Sequence, residues 1–267
     1  MREVGAQRHE KGLIFLMDEC SSITLTADRR MRTRLAAVCL CALLLPRWNH
    51  AAESWGGSLA VTSDYLVRGI SRSNQGAAVQ ADLHVATDSG LIAGVFASDA
   101  KFDPEDHRSA ELSGFIGYAW QPSSAWRAKM LASYYGYAWN DSGSQYNYAE
   151  LGFEAVFDDW LDVDFVYSPD APRYIRGKGL AGVAAETAEF TARTPWRHRL
   201  AATAGLGYSQ LGGAGGGGYV YWSAGGVVDL APWSISLSYV NTSAKAAALF
   251  YSAAAHDRWT ATVIWRF

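Results

Sequence analysis

The sequence has 267 residues, of which 18% are charged and 13% aromatic, with 11 Trp and 14 Tyr. The charged share lies below that of an ordinary soluble domain, and a mean hydropathy of −0.06 excludes a bundle of long apolar membrane helices. Downstream of residue 52 stand 21 acidic residues, 15 basic ones and no cysteine, which argues against a nucleic-acid partner and excludes a disulfide or thiolate metal site there. These totals suit a membrane β-barrel, and on totals alone a soluble β-sandwich stays open.

Residues 1–30 match neither an export signal nor a strand pattern. We read them as an extension ahead of a true start at Met31, with a cytoplasmic-side extension as the alternative. Residues 31–52 have the layout of a secretory signal: Arg32 and Arg34, the apolar run Leu35–Leu45, then the small residues Ala51 and Ala52. A short core helix is the competing reading. Cys39 and Cys41 sit within that run and are followed by further apolar residues, the wrong place for a lipid-bearing cysteine.

From residue 53 to residue 267 the dominant pattern is alternation of apolar and polar residues. Twelve strands are predicted, near 58–69, 77–87, 91–99, 109–120, 125–138, 146–157, 160–168, 181–194, 198–210, 218–228, 233–242 and 257–267. In the second, Val79, Ala81, Leu83 and Val85 oppose Gln80, Asp82 and His84. In the last, Trp259, Ala261, Val263, Trp265 and Phe267 oppose Arg258, Thr260, Thr262 and Arg266. Short connections alternate with long ones. The long ones are Gly69–Gly76, Asp99–Arg108, Trp139–Gln145, Ser168–Leu180, Leu211–Gly217 and Asn241–His256. An even strand count with alternating short turns and long loops is the pattern of an outer-membrane, antiparallel up-and-down barrel. Both termini then fall on the short-turn, periplasmic side. Trp120, Trp126, Trp160, Trp196, Trp233 and Trp265 all stand beside short turns or the chain end, where an interfacial girdle belongs.

The polar faces are candidates for a pore lining. They carry Asp64, Arg68, Asp82, His84, Glu111, Arg127, Lys129, Glu150, Glu154, Asp162, Asp164, Glu189 and Arg199. Charges on these faces would be costly inside a packed sandwich and cheap in a wet lumen. Arg127 and Lys129, flanked by strands bearing Glu111, Glu150 and Glu154, either brace the wall as cross-strand pairs or form a charged constriction that sorts solutes. Trp265 and Phe267 are expected to serve as the assembly signal read by the barrel assembly machinery.

No catalytic site, metal site or cofactor is expected. The histidines downstream of the leader are His84, His107, His198 and His256. None pairs at metal-ligand spacing, and no Gly-x-Ser-x-Gly elbow is present. The Gly-rich run 212–218 lacks the Lys and Ser/Thr that a phosphate loop requires.

The segment Val61–Ser71 (VTSDYLVRGIS), followed by Ala78–Ala81 (AVQA), resembles the opening of the proteobacterial TorF-type porin family, also grouped as conserved Gcw_chp-type proteins. Ser89–Val95 and Glu111–Tyr118 are similar to that family's next two strands. The resemblance implies an outer-membrane barrel of porin type and names no substrate. The expected function is thus a passive channel for small polar solutes. Expected partners are outer-membrane lipid and lipopolysaccharide, the assembly machinery and the solutes themselves. A structural or adhesin-type barrel acting through its loops is the alternative, and an outer-membrane hydrolase is a more distant one.

Overall fold

A computed structural model describes residues 53–101, 109–139, 146–175, 179–195, 199–213, 216–250 and 252–267. The leader expected over residues 1–52 lies outside these, as do Trp196, His107 and His198.

In chain order the strands are β1 (Glu53–Thr62), β2 (Leu66–Val67), β3 (Ile70–Ser71), β4 (Ala78–Thr87), β5 (Leu91–Asp99), β6 (Ala110–Trp120) and β7 (Trp126–Ala138). There follow β8 (Tyr148–Phe157), β9 (Leu161–Ile175), β10 (Gly179–Pro195), β11 (Leu200–Leu211), β12 (Gly217–Leu230) and β13 (Trp233–Thr242). A short helix, α1 (Ala244–Leu249), a 3-10 turn (Ser252–Ala255) and β14 (Arg258–Arg266) complete the chain. Twelve of these strands form a closed antiparallel barrel. Sequence neighbours pair throughout, and β1 pairs with β14 to shut the sheet. The pair β2–β3 stands apart from the wall.

Closure gives every wall strand a partner on both sides, as a sheet in hydrocarbon requires. The wall strands run from 9 to 17 residues, at or above the length needed to cross a bilayer core at a tilt. Local chemistry sets the short turns. Asp158 and Asp159 take left-handed φ values of 48° and 60°, and the Trp160 N–H donates to the Phe157 carbonyl at 3.1 Å. Two left-handed residues in succession give the tight turn whose twist matches antiparallel strands.

The alternation read from sequence is the inside–outside pattern of the wall. On β4, Ala78, Gln80, Asp82, His84 and Ala86 are buried, whereas Val79 and Leu83 are exposed. The outer surface carries Leu59, Val61, Val95, Leu112, Ile116, Leu151, Leu206, Ile235 and Leu237, all exposed. An apolar band encircling the molecule on this scale is a surface for lipid rather than water. The interior holds Asp82, Lys129, Glu154, Asp162, Asp164, Arg193 and Asp229.

Aromatic residues mark both edges of that band. At the short-turn end, Trp126 packs on Phe157 (ring centroids 4.9 Å apart) and Trp265 on Phe267 (5.1 Å); Trp120, Trp160 and Trp233 are exposed beside them in the same belt. At the long-loop end, Tyr239 lies 5.5 Å from both Trp222 and Trp259. The sequence reading found the first belt only. The second is built from residues in the early or late parts of strands, so turn position does not flag it.

Three long connections differ from expectation. The strand placed over 58–69 stops at Thr62, because Arg68 (φ 53°) and Gly69 (φ 76°) form a two-residue hairpin turn between β2 and β3. The loop placed over Ser168–Leu180 is mostly strand. β9 and β10 run on to Ile175 and Gly179, with a register shift between Val183 and Ala185. Pro169 and Pro172 disguise this extension, since proline marks edges and loops. Its buried Ala171 and Val183 join an apolar cluster with Ile70, Leu211, Tyr219, Ala246 and Ala254. The stretch Asn241–His256 folds as α1 and the 3-10 turn, packed into that same cluster.

Candidate functional site

The feature that defines the interior is the β2–β3 hairpin, residues 63–77, folded into the barrel from the long-loop end. Its Tyr65 and Ile70 are buried in apolar clusters with the wall, and polar contacts add to the hold. At its base, Asp64 accepts from the Ser71 hydroxyl at 2.6 Å and from Arg258 Nη1 at 2.5 Å. Arg258 also donates to the carbonyls of Ala253 and Ala254, at 3.1 and 3.0 Å. One guanidinium therefore ties the hairpin to the cap that carries α1. Midway, the Tyr65 hydroxyl donates to Glu111 Oε1 at 2.8 Å, and Tyr137 donates to the other oxygen of the same carboxylate. Burial, reinforced by the Glu111 charge, holds the Tyr65 phenol well above its ordinary range, so it stays a donor.

At the tip, Arg68 Nη2 meets Glu150 Oε1 at 2.7 Å, with side chains only 11% and 9% exposed. The Arg68 carbonyl accepts from the Tyr219 hydroxyl at 3.1 Å. Two tyrosine walls flank the tip. Tyr135 and Tyr148 stack 4.6 Å apart on β7 and β8. Tyr219 and Tyr221 stand on β12, and Tyr221 donates to Glu189 Oε2 at 2.7 Å. Gly69 is required at the turn, since a Cβ there would lie 2.9 Å from Tyr221 Cβ.

Beneath the hairpin lies a cavity of about 300 Å³. One side is charged: Glu150, Glu154, Asp164 and Glu189, with Lys129 and the Arg68 head group. The facing side, from β11 to β14, is hydroxylic and aliphatic, with Thr203, Ser223, Ser236, Ser238, Thr260, Thr262, Val227 and Ile264.

The residues singled out from sequence divide into three groups. Asp82, His84, Glu111, Lys129, Glu150, Glu154, Asp162, Asp164 and Glu189 face the interior from the wall. His84 Nδ1 pairs with Asp82 Oδ1 at 2.9 Å. Asp64 and Arg68 are also interior, but they belong to the hairpin and not to a wall strand. Arg127 and Arg199 lie at strand ends. Arg127 bonds Asp159 of a short turn at 2.5 Å, with side chains 31% and 49% exposed. Arg199 precedes β11 as an exposed turn residue. Both sit at the rim, where the strand ends meet water.

Arg127 and Lys129, open to both a wall-bracing and a constriction reading, are divided between the strand end and the interior. Lys129 Nζ pairs instead with Glu154 Oε2 at 3.0 Å, directly across the β7–β8 ladder. The hairpin instead carries Asp64 and Arg68 into the interior. Its Arg-Gly turn and the serines around Asp64 were present in the sequence, but strand-like alternation masked them. Glu154, Asp162 and Asp164 bring their carboxylate oxygens within 4.8 Å of one another. Such a donor set suits a hard cation, yet Lys129 already supplies positive charge to it.

Fold and interior together define a transmembrane β-barrel with a hairpin folded into its interior. The Gcw_chp family profile, described as bacterial proteins of unknown function, matches residues 51–267, and the chain belongs to that family. No curated protein sequence matches it. Solved structures of similar shape include the NanC porin, with 7% identity and a TM-score of 0.51 over 79% of this chain and 98% of that one. The KdgM porin aligns with 11% identity and a TM-score of 0.49, over 79% and 99%. LpxR from Salmonella typhimurium aligns with 10% identity and a TM-score of 0.43, over the same shares. At these identities the likeness is one of fold.

Proposed function

We propose that this protein is a passive diffusion channel of the bacterial outer membrane for small polar solutes. In this reading residues 31–52 direct export, the short turns and both termini face the periplasm, and the hairpin lies on the outer side. Barrel assembly machinery and lipopolysaccharide are its expected partners. The observation that carries the proposal is the interior. A structural barrel has no need of a polar cavity ringed by charges, and a narrow barrel can close its lumen with apolar side chains. Here ionisable groups line a wet space, and a polar-bonded hairpin sets its width.

Planar bilayers test this. The folded protein is expected to give discrete conductance steps, larger when the hairpin is loosened by Arg258→Ala. Silence from both forms, with heat-modifiable mobility proving them folded, would overturn the channel reading and favour a barrel that acts through its loops.

A further inference from the structure

The Arg68 head group sits in the cavity as a ligand would. Its guanidinium meets Glu150 in a pocket also lined by the stacked Tyr135 and Tyr148 and by Tyr221. The hold is incomplete: Arg68 Nε is buried and has no hydrogen-bond partner among the described residues. The pair is made through Nη2 at 2.7 Å and lacks the two parallel bonds of a fully satisfied Arg–carboxylate fork. Around it, five carboxylates, including Asp64 of the hairpin base, face two cations, Arg68 itself and Lys129. Withdrawing Arg68 would leave a cavity with one base against five acids, lined also by Tyr65, Tyr135, Tyr148 and Tyr221, and aromatic rings favour a planar cation.

We propose that this cavity is a binding site for small solutes bearing a guanidinium group, and that Arg68 occupies it as an internal surrogate that an incoming solute displaces. The proposal rests on the channel reading for its biological sense, and the site itself can be tested without conductance. A solute guanidinium would take the place of Arg68 on Glu150, exchange one charge-assisted hydrogen bond for another, and free the hairpin tip from its deepest contact. A tethered competitor has an effective concentration on the millimolar scale or above. A free solute therefore binds weakly to the native chain and more tightly once the competitor is removed.

The experiment uses isothermal titration of the folded barrel in detergent with L-argininamide. L-citrullinamide, which keeps the same α-amine and replaces the guanidinium by an uncharged urea, is the control. Native protein is expected to bind argininamide weakly and citrullinamide at least tenfold more weakly. Arg68→Ala is expected to tighten argininamide binding about tenfold, and Arg68→Ala combined with Glu150→Gln to lose that gain. Heat-modifiable mobility checks that each variant is folded, and Arg68→Gln serves if the alanine form fails to assemble. Equal binding of the two amides, or no tightening without Arg68, would overturn the surrogate site even in a conducting channel. Guanidinium-selective binding in a barrel that gives no conductance would uphold the site and sink the channel reading.

Discussion

Arg258→Ala probes the hairpin's anchorage directly. Arg258 is 12% exposed in its side chain and bonds Asp64, itself 5% exposed, at 2.5 Å, as well as the carbonyls of Ala253 and Ala254. Removing one partner of a buried pair leaves the other charge uncompensated, and such losses run to ~3–5 kcal/mol. The Ser71 and Ser73 hydroxyls stay on Asp64 at 2.6 and 2.8 Å, so the lower end applies. The side-chain contact lies outside the wall ladder, so the cost falls on hairpin closure and on the Ala253–Ala254 cap. A loss of about 3 kcal/mol corresponds to ~150-fold in the balance between docked and released hairpin. Hydrogen exchange reads this at the hairpin amides. The Arg72 N–H donates to the Tyr65 carbonyl at 2.7 Å, and the Tyr65 N–H to Ser73 Oγ at 2.9 Å. Protection at these two sites should fall by about two orders of magnitude, while amides of β4–β5 keep theirs. Unchanged protection at Tyr65 and Arg72 would show that the apolar cluster around Ile70, and not the Arg258 latch, holds the hairpin.

Charge changes along the lumen should separate rim from interior: Lys129→Gln is expected to strengthen cation preference in a salt-gradient reversal potential, and Arg127→Gln to leave it unchanged. Equal effects from the two would mean that Arg127 reaches the passage. Gly69→Val should drive the tip off Tyr221, because it adds both a left-handed strain and a clash, and single-channel conductance should rise. Phe267 exchanges backbone hydrogen bonds with Gly57 at 3.0 and 3.1 Å, so Phe267→Asp should lower the yield of heat-modifiable barrel in outer-membrane fractions, chiefly by slowing insertion. A wild-type yield would refute this.

Alternation made the wall legible in advance. Val79 to Val85 against Gln80 to His84, and Trp259 to Phe267 against Arg258 to Arg266, fix both strand and facing, because a one-residue slip would send every charge into lipid. The same rule misled around residues 63–69. Asp64 and Arg68 fall in phase with β1 and so read as further wall residues, whereas the left-handed pair Arg68-Gly69 bends the chain inward. Alternation is equally silent on how deep Arg127 sits. Period two gives the side of the wall but not the height, and Arg127 faces the lumen side at the very edge. The tall β9–β10 hairpin was lost because its support is tertiary: Ala171 and Val183 pack on the hairpin tip and the helical cap, contacts distant in sequence.

The seam between β1 and β14 is unlike every other junction of the wall. All other wall pairings join consecutive strands through a connection of modest length, so each can zip as a local hairpin. The seam joins Thr62 to Thr262, whose hydroxyls meet at 2.9 Å across two hundred positions of chain. Its ladder matches five residue pairs, against ten between β1 and β4. Local pairings form early and cost little loop entropy, and long-range ones wait. The barrel is thus expected to mature as a growing curled ribbon with two open edges, which are liable to pair with other chains until the last rungs join. Speed of closure, more than final stability, would then govern how much of this protein reaches its folded state.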